Sequence, residues 1–184
     1  MSNTDLIRAS YEAARSEINV RLRIRSQTIA FYLAASGVLL GFIVKGVVPD
    51  GVVVLVALFA LAGCLMITHH NACIAQASLF CGTELKEQFN GVPMWNNCAA
   101  SEREAFWRRQ LRFYSQMLIL LFPPILAFIF QYNKADCSGF IQFMLQVSNL
   151  IALFIILLIG AILFISKHYR KKMFAKSSDY CISE

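Results

Sequence analysis

Four long blocks of apolar residues dominate this sequence of 184 residues. They cover residues 27–45, 51–68, 113–132 and 140–166. Each block is close to or above the roughly 20 residues that an α-helix needs to cross the hydrocarbon of a bilayer, and none alternates like a membrane barrel strand. With only 15% charged residues, a water-soluble fold could not cover four such blocks. The sequence therefore predicts an all-α integral membrane protein with four transmembrane helices.

The connections within each pair of blocks are short. The segment Lys45–Gly51 joins the first two blocks, and Asn133–Gly139 joins the last two. Loops of this length, rich in Gly, Pro, Asn and Asp, are typical of antiparallel helix pairs. We find no repeat, low-complexity tract or linker that would divide the chain. The sequence predicts two helical hairpins in a single membrane domain over residues 1–184.

The positive charges are distributed very unevenly among the segments outside the blocks. Residues 1–26, 69–112 and 167–184 each carry five Lys or Arg, and the two hairpin loops hold only Lys45 and Lys134. Because positive residues are enriched in cytoplasmic segments, this distribution predicts that both termini and the middle segment are cytoplasmic. It also accounts for the net charge of +6 without duplex nucleic acid.

Helical periodicity continues beyond the blocks. Apolar residues recur every three or four positions between Thr4 and Ser26, with no Gly or Pro before the first block, which predicts one helix of about 40 residues. Residues 69–89 extend the second block, and a capping box over Ser101–Glu104 predicts the start of the third helix. These extensions, with residues 69–112 as stalk and turn and residues 167–184 as a basic tail, predict a helical cytoplasmic stalk.

One face of the fourth block carries three amide side chains. Gln142, Gln146 and Asn149 lie at positions i, i+4 and i+7. Unpaired amides in hydrocarbon are costly, so they either hydrogen-bond to neighbouring helices or border an aqueous path. Both interpretations stay open, and the three residues are candidates for pore lining.

Two further features of the blocks concern helix packing and shape. Ala30 and Ala34 share one face with the Gly37/Gly41 pair, which permits close helix approach. We expect this face to pack within the chain, with oligomerisation as the alternative. Two consecutive prolines in the third block predict a kink whose carbonyl groups need other partners, and the kink is either static or a gating hinge. The two are Pro123 and Pro124.

Arginine and aromatic residues alternate near the predicted cytoplasmic ends of the first and third blocks. Guanidinium groups bind phosphate through paired hydrogen bonds. The same residues would also contact anionic lipid headgroups, so a nucleotide site and lipid anchoring stay open as alternatives. The candidate phosphate-binding residues are Arg21, Arg25, Arg108, Arg109 and Arg112.

Few residues suggest catalysis or metal binding. His69, His70, Cys73 and Cys81 have helical spacing, but no second half-site of matching spacing follows, so we predict no metal. We find no Ser-His-Asp order, no paired carboxylates, no glycine-rich phosphate loop and no acidic residue within a block. The sequence predicts neither an enzyme nor a cofactor.

The first half of the chain resembles small prokaryotic membrane proteins. The likeness rests on the pattern YExxRxEIxxRxxxR from Tyr11 to Arg25, on Gly37 and Gly41, and on a helix from His70 through Ile74 and Leu79 to Leu85. Similar four-helix proteins are the membrane effectors of anti-phage systems, the Hailong type among them. The chain departs from this pattern at Asn96, where an acidic residue is expected.

The resemblance implies a function and partners. It implies a homo-oligomeric channel or pore in the bacterial inner membrane, with a tetramer as a guess, that depolarises the membrane to stop phage growth. It further implies a nucleotidyltransferase partner whose oligonucleotide product provides the cytoplasmic signal. The alternative is a non-conducting scaffold or regulatory subunit that recruits a partner through its stalk, and a membrane-bound thiol or lipid enzyme is the third interpretation.

Overall fold

The described part of the chain folds into α-helices. The computed structural model describes residues 3–45, 51–82, 99–134 and 146–180, with side chains over 5–45, 51–81, 111, 113–133 and 146–169. Each helix contains a stretch long and apolar enough to span a membrane. The prediction of an all-helical chain with four potential transmembrane helices is confirmed. These are α1 (Asn3–Lys45), α2 (Val52–Gly82), α3 (Ala99–Lys134) and α4 (Val147–Tyr180).

The helices are longer than a membrane span. Helix α1 has 43 residues, or about 65 Å at 1.5 Å per residue, against a hydrocarbon thickness of about 30 Å. The predicted fusion of residues 4–26 with the first block is therefore confirmed. Helix α4 also continues, to Tyr180, where the sequence predicted only a basic tail after residue 166. Helix α3 begins at Ala99, so Ser101 lies in its first turn and not at the predicted cap.

The chain divides into two compact units, and all four helices contribute to both. The apolar unit contains the described residues of Gln27–Ile67 and Tyr114–Ile165. The charged unit contains those of Met1–Ser26, Thr68–Phe113 and Ser166–Glu184. These boundaries lie within one residue of the block ends at 27, 68, 113 and 166 that hydropathy defines. The prediction of a single domain over residues 1–184 stays a prediction.

Helix α2 forms the centre of the apolar unit. In the most apolar 18-residue stretch of α2, 44% is buried inside the chain, against 17% in the corresponding stretch of α1. Small residues at helical spacing allow the other helices to approach α2 closely, because short side chains let helix backbones come near one another. The buried stripe of α2 consists of Val53, Val56, Ala57, Ala60, Cys64 and Ile67.

The other three helices of the apolar unit each bury one narrow stripe and leave the rest half-buried or exposed. Large apolar side chains point outward, including Phe31, which is 69% exposed, and Phe154, which is 67% exposed. Exposed apolar surface of this extent is unfavourable in water and favourable in lipid. The exterior of this unit thus has the character of a membrane-embedded surface.

Candidate functional site

The two prolines of α3 are buried in the apolar unit, and α3 continues through both. Proline has no amide hydrogen, so Pro124 cannot donate to the carbonyl oxygen of Leu120, four residues earlier. The hydroxyl of Tyr32 in α1 donates to that oxygen at 2.9 Å. Tyr32 is only 2% exposed and Leu120 is fully buried. One carbonyl group released by the proline pair thus has a side-chain partner from another helix.

A glycine of α2 packs beside this hydrogen bond. A Cβ atom added to Gly63 would lie 3.5 Å from Cδ2 of Leu120 and 3.7 Å from the ring atoms Cγ and Cδ2 of Tyr32. These are ordinary van der Waals distances, so a methyl group fits there, and we expect a branched side chain to overlap the two neighbouring residues. Gly63, Tyr32 and Leu120 therefore form a three-helix contact, which we call the proline contact.

The structure changes the interpretation of the amide stripe. Gln142 lies outside the described residues, and Gln146 precedes the first residue of α4, Val147. The carbonyl oxygen of Gln146 accepts hydrogen bonds from the backbone N–H groups of Asn149 at 3.0 Å and Leu150 at 3.1 Å. Its side-chain Oε1 accepts a further hydrogen bond from Nδ2 of Asn149 at 3.1 Å. Gln146 thus directly precedes α4, and its side chain contacts that of Asn149. The polar face shared by all three amides stays a prediction.

The two described amides of the stripe differ in exposure. The side chain of Gln146 is exposed, whereas Asn149 is 0% exposed within the apolar unit. The amide of Asn149 is therefore already buried in the interior of this unit within one chain.

Three polar residues of the apolar unit were missed by sequence reasoning. Gln116 and Gln131 of α3 are buried, and Ser36 lies fully buried one turn after Tyr32 in α1. The two glutamines belong to the buried stripe of α3, at helical distances of four and seven residues from Leu120 and Pro124. A search for polar residues in phase with the two prolines would have found them.

The small-residue face of α1 lies on the outside of the described chain. Ala30, Ala34, Gly37 and Gly41 are all exposed. A Cβ atom added to Gly37 or Gly41 would meet nothing within 4 Å. The expectation that this face packs within the chain therefore finds no contact among the described residues, and the alternative, packing against another molecule, stays a prediction.

In the charged unit, α1 and α2 are joined by an arginine–amide hydrogen bond. Nη1 of Arg25 donates to Oδ1 of Asn71 at 2.9 Å, and both side chains are partly or fully buried. One turn earlier, Nε of Arg21 donates to Glu17 at 2.6 Å. The two predicted phosphate-binding residues of α1 thus lie on the same helix face, with Arg25 oriented from α2. Arg108, Arg109 and Arg112 belong to α3, but their side chains lie outside the described residues.

The histidine pair lies beside these arginines. The rings of His69 and His70 are 5.7 Å apart, and Sγ of Cys73 lies 3.8 Å from Nε2 of His69. Among the described side chains no group of three or more His, Cys, Asp or Glu residues could hold a metal ion.

His70 is the more buried of the two histidines and lies two residues beyond the second apolar block. Burial lowers the pKa of its imidazole, and the positive charges of Arg21, His69 and Arg25 lower that pKa further. Both effects favour the neutral form of the ring.

A second contact in the charged unit involves α3 and α4. Nζ of Lys167 lies 4.3 Å from the centre of the Phe113 ring, within the range of a cation–π interaction. Sequence reasoning placed Phe113 at the start of the third block and Lys167 at the start of the basic tail.

Two arrangements of polar side chains are thus candidates for a functional site. In the apolar unit, polar side chains are buried beneath an apolar exterior. In the charged unit, Arg25 of α1 donates to Asn71 of α2, and the buried His70 precedes Asn71 in sequence. Comparison of the chain with protein-family models, curated proteins and solved structures finds no match.

Proposed function

We propose that this chain is a membrane effector that forms a homo-oligomeric ion channel or pore. The observation that carries the proposal is the polar interior of the apolar unit, where Tyr32, Ser36, Gln116, Gln131 and Asn149 are buried. Polar side chains within membrane helices face a protein interior or a water-filled cavity, and they mark ion pathways in many channels. Assembly of several copies would bring the amides at the start of α4 together.

The orientation and location that we propose follow from charge. Fifteen of the 17 Lys and Arg residues lie in residues 1–26, 69–112 and 167–184. The positive-inside bias supports a bacterial inner-membrane protein with these three segments in the cytoplasm. The small-residue face of α1 supports a homo-oligomer, because such faces allow close approach of helices in lipid.

Control by a phosphate-rich cytoplasmic signal completes the proposal. Arg21 and Arg25 provide the charge that such a signal requires, and Asn71 orients the guanidinium group of Arg25. The anti-phage role, the nucleotidyltransferase partner and its oligonucleotide product rest on the resemblance of the first half of the chain.

Ion flux from liposomes tests this proposal. The purified chain is reconstituted over a range of protein-to-lipid ratios, and flux is recorded with and without a mixture of linear and cyclic oligonucleotides of two to four residues. We expect flux that rises steeply with protein density, because several copies form one pore, and that changes when the mixture is added. Absence of flux at every density, with and without the mixture, would contradict the proposal.

One observation favours a second function, a non-conducting scaffold. Asn149 is fully buried in the single chain and bonds to Gln146, as expected for an amide that stabilises helix packing. Leu replacement of Gln142, Gln146 and Asn149 separates the two functions. A pore predicts normal assembly with altered flux, whereas a scaffold predicts weaker assembly, by about 0.6–2 kcal/mol per contact, and no flux in either protein.

A further inference from the structure

The thiol of Cys73 lies beside an imidazole of α2. Sγ of Cys73 is 3.8 Å from Nε2 of His69, four residues earlier on the same helix. Both residues belong to the charged unit, where His69 is exposed and Cys73 is half-buried. The pair is therefore accessible from water in the single chain.

The other two described cysteines differ from Cys73 in burial. Both lie on the same helix, and Cys64 is 0% exposed and Cys81 is 1% exposed. A buried thiol reacts slowly, because reagents do not reach it and because an apolar surrounding disfavours the reactive thiolate. Among the described cysteines, Cys73 is therefore the one whose surroundings allow a reaction.

The neighbouring imidazole provides what the thiol needs in order to react. The thiolate is the nucleophile, and only a small fraction of a free thiol is ionised at pH 7. An imidazole nitrogen within hydrogen-bond reach can accept the thiol proton, and this arrangement is typical of activated cysteines. Nε2 of His69 is such an acceptor when Nδ1 carries the proton of the neutral ring. The pair is thus suited to nucleophilic attack by Cys73.

A second polar atom within one helical turn of Cys73 indicates the kind of reagent that fits. His70 precedes Cys73 by three residues, and its ring is 5.7 Å from that of His69. His70 is 6% exposed, and its Nδ1 has no hydrogen-bond partner among the described residues. Native proteins keep such an atom unpaired mainly where water or a bound group satisfies it. A reagent with amide or carboxyl groups would do so, which favours a peptide-like molecule over an apolar one.

We propose that Cys73 is a site of reversible modification by the disulfide of a small peptide-like thiol, with His69 as the group that accepts the thiol proton. The thiolate of Cys73 attacks one sulfur of the reagent, whose S–S bond breaks while a new S–S bond to Cys73 forms. The other half of the reagent leaves as a thiolate and takes up the proton that His69 holds. The products are a mixed disulfide and a small thiol, so the reagent is the only oxidant that the step requires. This inference does not rest on ion conduction.

Modification of the full chain by oxidised glutathione in neutral detergent tests the inference. The reaction is stopped with acid at a series of times, the remaining thiols are alkylated, and peptide mass spectrometry gives the rate at each cysteine. Cys64 and Cys81 are internal controls on the same helix. Wild type is compared with His69→Gln, which keeps a polar side chain that is not a base. The matched control is His168→Gln, which removes an exposed imidazole from α4.

We expect Cys73 of wild type to react about tenfold faster than Cys64 and Cys81, or faster still, because it is accessible and paired with a base. His69→Gln should slow the reaction of Cys73 by about tenfold, because only the small fraction of thiol that ionises without a base then reacts. Raising the solution to about pH 9 should restore most of the rate in this variant, because thiols ionise there without a base. His168→Gln should leave the rate of Cys73 unchanged, because the imidazole that contacts the thiol is still present.

Each of three results would overturn the inference. The first is that Cys73 of wild type reacts no faster than Cys64 and Cys81. The second is that His69→Gln slows Cys73 no more than His168→Gln does. The third is that higher pH does not restore the rate of His69→Gln, which would indicate that the substitution closes access to the thiol. Absence of ion flux would contradict the proposed function and leave this site intact.

Discussion

The two units of this chain differ in the residues that their surfaces expose. In the apolar unit, the polar side chains are buried and the exposed residues are largely apolar, as at Tyr32 and Phe31. In the charged unit, ion pairs lie on the surface, such as Arg8 with Glu12 and Arg21 with Glu17. Helix α1 therefore changes near residue 27 from a surface with ion pairs to a largely apolar surface.

This difference predicts how much stability each unit loses when one of its contacts is removed. A buried hydrogen bond in an apolar surrounding has no water to replace it, so its loss leaves an unpaired group. An exposed ion pair is replaced by two hydrated side chains at almost no cost. We expect substitutions in the apolar unit to affect stability strongly and those of surface charges in the charged unit to affect it little.

The largest expected effect comes from filling the proline contact. Gly63→Leu should lower the free energy of unfolding by about 3 kcal/mol, because its branched side chain would overlap Leu120 and Tyr32. Gly63→Ala should be tolerated, since a methyl group there makes ordinary contacts. The measurement is unfolding in mixed micelles of increasing SDS content. The matched control is Gly160→Leu, whose Cβ position meets nothing within 4 Å, and an equal loss in both Leu variants would refute the packing that we describe.

The next effect concerns the hydrogen bond from Tyr32 to Leu120. Tyr32→Phe should cost about 2 kcal/mol, because it leaves a buried carbonyl group without a donor. Pro124→Ala restores an amide N–H four residues after Leu120, so it should reduce the cost of Tyr32→Phe. A double-mutant cycle over Tyr32 and Pro124, measured by the same unfolding assay, tests this coupling. Additive effects of the two substitutions would show that Tyr32 does not replace the missing amide.

The smallest effect should come from a surface ion pair of the charged unit. Glu17→Gln removes the carboxylate that contacts Arg21, and we expect no measurable change in the free energy of unfolding, because water and salt screen exposed pairs. Glu12→Gln, which removes the partner of Arg8, should behave in the same way. If either substitution lowers the free energy of unfolding as much as Tyr32→Phe does, the proposed difference between the two units is wrong.

Hydropathy alone predicted most of the architecture. The free-energy cost of placing charged and polar residues in lipid depends on the residues of each helix and not on its neighbours. The block ends at residues 27, 68, 113 and 166 nearly coincide with the limits of the two units. Periodicity also predicted that α1 is continuous from Asn3 to Lys45. The limits and the continuity of a helix depend on residues that are close in sequence, so they can be read from one sequence.

Contacts between distant residues were only partly predictable. Pro124 implied that a carbonyl needs another donor, but the donor, Tyr32, lies 88 residues from Leu120 in sequence. Hydropathy also did not mark the start of α4 at Val147, because the apolar run extends across that point. The pairing of Arg25 with Asn71 depends on which faces of α1 and α2 meet, and hydropathy does not specify that.

The most direct test of the membrane assignment uses cysteine labelling in intact cells. Cys137 belongs to the segment Asn133–Gly139 that the sequence predicts as the second hairpin loop, and Cys98 belongs to the segment of residues 69–112. Variants that retain only one of these cysteines are treated with a membrane-impermeant maleimide before and after permeabilisation. We predict that Cys137 is labelled in intact cells and Cys98 only after permeabilisation, because the positive-inside bias predicts that the charged segments are cytoplasmic. Labelling of Cys98 in intact cells, with Cys137 protected, would contradict the account.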